Sequence, residues 1–289
     1  MTNSTPKTKI PLLMWAFTIV FALASAVGGY IIGERDGQQN ALNQIQAQMG
    51  GTEGTEGADT ASAEGAGAGE IPSDAKPGTD FSPAKADANG FFDATIHGPG
   101  SPITAADEIG NSARRDPKDP MAVGALDAPI VIAEFSDWDC PFCIRHATTV
   151  EPELMKEYVD AGYVRIEWND MAVQGPASVA AAKAGRAAAE QGKFAEYKDA
   201  YMAAAAQKSG HPGFGLEDFI SFAKKAEVPD IDKFTADAQS DKYDEAIDEA
   251  RNYAQSLGVT GTPGFIVGKK FLGGAMPIEN FRSTINEQL

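Results

Sequence analysis

The feature that most constrains the fold is an apolar run followed by a helical pattern and a second strand pattern. Residues 128–135, APIVIAEF, are rich in β-branched side chains, which predicts a buried central strand. Residues 141–161 have helical spacing, with Gly162 as a plausible stop. Residues 163–170 alternate as a strand does, with side chains pointing outward and inward in turn. Strand, helix and strand in this order imply a parallel pair joined by a crossover.

The following part of the chain predicts a helical block, a hairpin and a closing helix. The block begins with an alanine-rich stretch at Pro176, and its strongest pattern is at residues 242–257, which are apolar on one face. Gly258 is the expected left-handed cap of that helix. Residues 264–274 predict a hairpin, and Pro277 opens the last helix. The sequence therefore predicts one α/β domain with a large helical part.

The chain has only two cysteines, Cys140 and Cys143, spaced C-x-x-C between the predicted strand and helix. A zinc site needs four ligands, and His146 is the only further candidate nearby. A c-type haem would need histidine where Ile144 stands. A disulfide between residues so close together closes almost no loop and stabilises little. A redox pair is the favoured interpretation, and a metal-binding chaperone is the alternative from another class.

The position of the pair suits thiol–disulfide exchange. Cys140 ends a strand-to-helix turn, where unpaired N–H groups and the helix dipole favour a negative charge. Such an environment lowers a thiol pKa to roughly 3.5–7.5 in pairs of this type. Cys140 is therefore the expected attacking sulfur, and Cys143, one turn further on, can resolve a mixed disulfide.

The N-terminus predicts export. Lys7 and Lys9 lie in residues 1–10, which we expect to be cytoplasmic, and residues 11–33 carry no charge over a length that spans a bilayer. A cleaved signal peptide ending at Ala26 is the competing interpretation. Both place the following chain outside the cytoplasm, where disulfide chemistry persists. We expect an uncleaved, single-pass anchor in the cell membrane.

The stretch between the anchor and the domain is rich in glycine, proline and acidic residues. We expect residues 34–120 to be a flexible acidic linker and residues 121–289 to be the catalytic domain. The formal charge of −17 argues against nucleic-acid binding, which needs a basic surface. With three histidines in the chain, a histidine-rich metal site is not expected, and no cofactor is predicted.

Two motifs, EFSDWDCPFC and GTPGFIVG, are separated by the helical block. Together they resemble the DsbA-like thiol–disulfide oxidoreductases of the thioredoxin superfamily, and the resemblance covers essentially residues 121–289. It implies a thioredoxin fold with a helical insertion. It also implies that Pro263 is cis and packs against the cysteine pair, and that the Thr262 backbone pairs with a substrate peptide.

The resemblance gives Glu134, six residues before Cys140, the role of relaying a proton to or from the inner cysteine. An acid inside a strand is costly unless it is paired or functional. The alternative is that Glu134 faces solvent at a strand end.

Phe142 departs from the strongly oxidising members of the family, which carry histidine there. Histidine helps to hold the thiolate, so phenylalanine implies a milder oxidant. Phe142 and Trp138 can contact an unfolded client, although Trp138 can equally be packing. His146 is expected to be a solvated residue on the outer helix face.

The expected activity is the introduction of disulfides into exported proteins, with isomerase or reductase activity as the alternative within the class. The expected partners are reduced or misoxidised exported proteins and, as the resemblance implies, a quinone-linked membrane oxidase. We expect a monomer.

Overall fold

A computed structural model of the chain describes residues 69–85, residue 103 and residues 105–289. Within them a short 3-10 helix, Ala106–Ser112, precedes the sheet, and a π-helical turn, Met155–Val159, precedes its third strand. The remaining elements, in chain order, are β1 (Ala122–Val123), β2 (Ile130–Ser136), α1 (Pro141–Thr149), α2 (Glu151–Leu154), β3 (Val164–Asp170), α3 (Pro176–Ala189), α4 (Phe194–Ala205), α5 (Leu216–Lys225), α6 (Ile231–Gln239), α7 (Asp244–Ser256), β4 (Gly264–Val267), β5 (Lys270–Gly273) and α8 (Ile278–Asn286).

The sheet has five strands in the order β1-β3-β2-β4-β5. β2 and β3 are parallel, as the strand–helix–strand pattern predicts, whereas β4 runs antiparallel to β2 and forms the predicted hairpin with β5. The two-residue β1 pairs antiparallel with β3 at the other edge. In open α/β sheets, binding sites form beyond the carboxyl ends of the strands. Here β2 leads from that end directly into the cysteine turn.

Helices α3 to α7 form the predicted insertion between β3 and β4, so the thioredoxin fold with a helical insertion is confirmed. The insertion encloses an aromatic core around Trp138, which exposes 1% of its surface. Its ring centroid lies 5.0 Å from that of Trp168 and 5.1 Å from that of Tyr201. Trp138 is therefore a packing residue that joins the cysteine turn to the insertion. The prediction that this side chain contacts a client is wrong.

A second core lies between the sheet and α8. Phe265 of β4 and Phe281 of α8 have ring centroids 5.0 Å apart and are both fully buried. The predicted pattern at residues 242–257 corresponds to α7, and Gly258 has the left-handed φ of 79° expected of its cap.

The helix predicted at residues 141–161 is interrupted. α1 ends at Thr149, α2 begins at Glu151, and the π-helical turn follows it. Pro152 has no N–H to donate to the preceding turn, which explains a break at this point. Gly162, with φ 84°, ends the segment as predicted.

The prediction that residues 34–120 form a free linker is wrong for the parts that the structure describes. Gly78 donates its N–H to the carbonyl of Gly162 at 2.8 Å. The carbonyl of Asp80 accepts from the N–H of Leu126 at 2.7 Å. These backbone hydrogen bonds hold residues 69–85 against the domain, although the composition of the segment offers little apolar surface.

Residues 105–120 also belong to the fold. Arg114 exposes 3% of its surface and forms an ion pair with Asp119 at 2.6 Å, while its backbone N–H donates to Glu167 of β3 at 2.6 Å. All seven residues of β3, the strand predicted at residues 163–170, are buried, so neither of its faces is solvated. The polar face that carries Arg165 and Glu167 is covered by a segment that brings its own charges.

Residues 1–10, the predicted anchor at residues 11–33, and residues 34–68 and 86–102 of the predicted linker lie outside the described residues. Within residues 69–85, 103 and 105–289, no helix combines the length and apolar character needed to cross a membrane.

Candidate active site

The cysteine pair lies at the start of α1, directly beyond the carboxyl end of β2. Cys140 is the cap residue before the helix, and Pro141 takes the first helical position, where no N–H donor is needed. Both thiols are free, and Cys140 exposes only 3% of its surface. The structure therefore has the pair in its dithiol form.

The surroundings of Cys140 favour its thiolate. A hydrogen bond from the Cys143 thiol makes the largest contribution, and hydrogen bonds from Thr262 and from the N–H groups of Cys143 and Phe142 add to it. They outweigh burial and lower the pKa of Cys140 to about 6. At neutral pH the sulfur is therefore mostly ionised, and a thiolate is the nucleophile in disulfide exchange.

Cys143 has the opposite character. It is fully buried, and burial raises the pKa of its thiol well above the usual value, with the hydrogen bond to Cys140 acting in the same direction. The backbone N–H of Asp137 lies 3.4 Å from its Sγ and donates to it. Cys140 can therefore act as the nucleophile, whereas Cys143 keeps its proton.

The loop before β4 meets the pair from the other side. The Thr262–Pro263 peptide bond is cis, as the family resemblance implies. The carbonyl oxygen of Thr262 lies 3.5 Å from the Sγ of Cys140, although the two residues are 122 positions apart. Pro263 is buried, and its carbonyl accepts a hydrogen bond from Gly274 at 2.8 Å, which ties this loop to the end of β5.

Two large apolar side chains near the pair face solvent. Phe142 is 56% exposed, and the guanidinium of Arg145 lies 5.2 Å from the centre of its ring. Val173, just beyond β3, is 40% exposed. Phe142 was predicted to contact clients. Val173 was not predicted, because a lone valine after a strand gives no signal of its neighbours.

Two aspartates around the cysteine turn were also missed. Asp137 accepts hydrogen bonds from the N–H groups of Asp139 at 2.8 Å and Val173 at 2.7 Å, so it ties the turn to the end of β3. Asp139 is held by the insertion, because its carboxylate accepts from Gly213 at 2.8 Å and its carbonyl contacts His211 Nδ1 at 2.8 Å. The spacing of Asp137 and Asp139 is typical of an Asx-turn and is readable in sequence. The contact with His211 is not.

Glu134 lies inside the protein and not at a solvated strand end. It exposes 1% of its surface, and its Oε1 has no hydrogen-bond partner within residues 69–85, 103 and 105–289. Its Oε2 is 3.9 Å from the Nζ of Lys198, a residue of α4 in the insertion. Lys198 also donates to both carboxylate oxygens of Glu151, each at 2.7 Å.

The prediction that His146 is a solvated residue on the outer helix face is wrong. The residue exposes 1% of its surface instead of lying on a solvated helix face. Its ring centroid is 4.4 Å from that of Phe265 and 5.3 Å from that of Phe281, because β4 and α8 cover this face of α1. Burial lowers the pKa of His146 to about 4, so the ring is neutral at physiological pH.

Glu134, His146 and Glu151 each place a potential metal-ligand atom within 4.8 Å of the other two. Lys198 already supplies a positive charge to this cluster through its two short hydrogen bonds to Glu151. We therefore do not identify the cluster as a metal site. Among the described residues, neither cysteine belongs to a group of three or more potential metal ligands.

Comparisons with known proteins agree with this geometry. A family model described as Thioredoxin matches residues 116–287. The probable disulfide bond formation protein D of Bacillus cereus is 31% identical over 152 residues, which are 51% of this chain and 69% of that protein. The corresponding protein of Bacillus anthracis is 30% identical over the same shares of the two chains.

Two solved structures resemble the fold. Oxidised BdbD from Bacillus subtilis aligns with a TM-score of 0.55 and 18% identity, over 68% of this chain and 98% of BdbD. DsbA from Chlamydia trachomatis aligns with a TM-score of 0.51 and 20% identity, over 58% of this chain and 90% of DsbA. At these identities the likeness supports the fold alone.

Proposed function

The chain belongs to the thioredoxin family of thiol–disulfide oxidoreductases, and we propose that it introduces disulfides into exported proteins. The observation that carries this proposal is the contrast between the two sulfurs. The pKa of Cys140 is lowered to about 6, whereas that of Cys143 is raised. An ionised Cys140 stabilises the reduced pair, and a pair that is stable when reduced accepts electrons from other dithiols.

The reaction has two exchange steps. A client thiolate attacks the Sγ of Cys140, the Cys140–Cys143 bond breaks, and Cys143 leaves and takes up a proton. A second client thiolate then attacks the client sulfur of the mixed disulfide, and Cys140 leaves as a thiolate. Two electrons pass from the client to the pair, and the client gains one disulfide. The low pKa of Cys140 makes it a good leaving group in the second step.

The client would bind across the rim of the site. The Thr262 backbone lies next to Cys140 and can pair with an extended client segment, while the exposed Phe142 offers it an apolar contact. Both groups recognise features common to unfolded chains, namely free backbone and apolar side chains. This arrangement supports a broad client range.

Glu134 is proposed to exchange the proton that Cys143 gains or loses. Its burial supports a role in proton transfer, since an acid with an unpartnered buried oxygen would otherwise be a cost without a benefit. The residue lies on β2, the strand that leads into the cysteine turn.

We further propose that the domain is a monomer held outside the cytoplasm by a membrane anchor at residues 11–33. A quinone-linked membrane oxidase would reoxidise the pair. The phenylalanine at position 142 supports a milder oxidant, and a Cys140 pKa of about 6 agrees, because it lies between roughly 7 for thioredoxin and roughly 3.5 for DsbA.

The decisive experiment measures the reduction potential of the pair against glutathione buffers. The proposal predicts a value between about −230 and −120 mV, above the roughly −270 mV of thioredoxin. A value at or below that of thioredoxin would make the protein a reductase. The same protein should form disulfides in reduced, unfolded ribonuclease A, and a Cys143→Ser variant should trap the mixed disulfide.

Isomerase activity needs its own assay. Ribonuclease A with scrambled disulfides is incubated with the reduced protein and no added oxidant. Recovery of ribonuclease activity there, without net oxidation of reduced ribonuclease in the first assay, would replace oxidase by isomerase. Localisation is tested by fractionating bacterial cells that express the full chain or a chain lacking residues 11–33. The domain should leave the membrane fraction only when that segment is removed.

A further inference from the structure

We propose that His146 carries protons between the buried Glu134 and the solvent-side Glu151, so that Cys143 can exchange its proton in each turnover. The inference rests on the proposed function and adds a route that the sequence pattern does not contain. It gives roles to a histidine and a second carboxylate that the exchange steps themselves do not use.

The geometry brings the required groups into one cluster. His146 follows Cys143 by one helical turn, so the two side chains lie on the same side of α1. The nearest potential ligand atoms of Glu134, His146 and Glu151 lie within 4.8 Å of one another. Glu134 is closed to solvent, whereas the Glu151 side chain is 12% exposed. The cluster therefore extends from the strand below the cysteine turn to the surface.

The charges of the cluster allow it to hold one exchangeable proton, because it has one more acidic group than basic groups. It contains two carboxyl groups, Glu134 and Glu151, and one ammonium group, that of Lys198. Lys198 makes both short hydrogen bonds to Glu151 and reaches Glu134 only at 3.9 Å. An extra buried negative charge is costly, and a proton relieves that cost. Asp199, next to Lys198 on α4, is a further acid that interacts electrostatically with Glu151 and Lys198.

His146 has the properties of a carrier. Its Nδ1 is buried and has no hydrogen-bond partner among the described residues, so no hydrogen bond at this nitrogen competes with proton transfer. Burial lowers the pKa of His146 to about 4, which keeps the ring neutral. A neutral imidazole has one protonated and one free nitrogen, and can release a proton on one side while accepting one on the other.

The transfer balances over a full cycle. When Cys143 leaves as a thiolate, it takes the proton of Glu134. One nitrogen of His146 then gives its proton to Glu134, while the other nitrogen accepts a proton that enters from water through Glu151. When the pair is reoxidised, Cys143 gives up its proton and the same transfers run in reverse. The reverse direction also restores the original tautomer of the ring.

The test is the single-turnover reduction of the oxidised protein by a dithiol peptide, followed by tryptophan fluorescence from pH 5 to 9 in H₂O and D₂O. His146→Phe keeps an aromatic ring between Phe265 and Phe281 but cannot carry a proton. Loss of such a step typically costs about 10²-fold or more, so we expect a rate at least ~10-fold lower at pH 8. The loss should shrink toward pH 5, and the solvent isotope effect should increase.

Glu151→Gln should reproduce this pH-dependent loss. Its matched control is Glu153→Gln, which removes a carboxylate two residues further on that pairs with Arg282 at the surface, at 2.7 Å. The control should react like the wild type. His146→Gln replaces His146→Phe if the latter does not fold, since an amide also cannot carry the proton.

Three results would overturn the inference. One is a wild-type rate and isotope effect in a folded His146 variant. Another is an equal slowing at every pH with an unchanged isotope effect, which indicates packing. The third is one equivalent of zinc in the purified protein that the His146 variant lacks. In each case the wild type still exchanges disulfides, whereas failure of the proposed function would remove exchange from the wild type itself.

Discussion

Replacing Cys143 tests where the acidity of Cys140 originates. The hydrogen bond from Cys143 is the largest of the effects that lower the pKa of Cys140 to about 6. A hydrogen bond to a charged group is worth about 1.5–3 kcal/mol, or about 1–2 pKa units. We therefore expect Cys143→Ala to raise the pKa of Cys140 to about 7–8. At pH 7 the thiolate fraction should fall from about 90% to about 10–50%.

Thiolate absorbance at 240 nm, followed from pH 4 to 10, measures this pKa directly. A Cys140→Ser variant supplies the baseline from Cys143 and tyrosine. Cys143→Ser is the matched control, because its hydroxyl keeps a donor at nearly the same place. It should leave the pKa of Cys140 close to about 6.

Two outcomes would refute the reasoning. If Cys143→Ala titrates at the wild-type value, the helix end and its N–H groups supply the acidity without the second sulfur. If the alanine and serine variants shift equally, loss of packing and not loss of a donor changes the pKa.

Three further predictions concern stability and redox tuning. Folding lowers the pKa of Cys140 from 9.0 to about 6, so the reduced protein gains stability that is complete above pH 9 and is lost as the pH falls to about 6. Urea unfolding of the wild type and of Cys140→Ser should show about 1.4 kcal/mol of this stabilisation at pH 7. A difference in unfolding free energy that does not change with pH would contradict this. A Cβ at Gly185 would lie 2.4 Å from the Trp138 ring, so Gly185→Ala should lower the stability measured by calorimetry by about 1–3 kcal/mol. The control Gly215→Ala, whose Cβ would meet nothing within 4 Å, should lower it much less. Equal melting temperatures of the two variants would show that the core around Trp138 adjusts to the added methyl group. Phe142→His should lower the pKa of Cys140 below about 6 and make the pair more oxidising. An unchanged equilibrium with glutathione would show that residue 142 does not influence the reduction potential of the pair.

Local patterns determined the framework of this protein. The apolar run of β2, the helical spacing of α1 and the hairpin of β4 and β5 each follow from the periodicity of neighbouring residues. The position of the C-x-x-C pair at a helix start predicts a reactive first cysteine, because the helix end that favours its thiolate is itself a local structure. These features were accessible from the sequence.

Contacts between distant segments decided the features that local patterns could not predict. Arg114 lies in a segment with the composition of a linker, yet it is buried because Asp119 pairs with its guanidinium and Glu167 of β3 accepts its backbone N–H. His146 was expected at the surface, since helical spacing states which residues share a face but not which face the sheet and α8 cover.

The candidate site also combines features set by local sequence with features set by contacts between distant segments. The positions of Cys140 and Cys143 were set by sequence, whereas the surroundings of Glu134 depend on Lys198, which reaches it from the insertion. Lys198 also holds Glu151, 47 residues away along the chain. Burial and charge pairing are properties of the assembled layers, so only the tertiary structure could bring His146 and Lys198 together with Glu134.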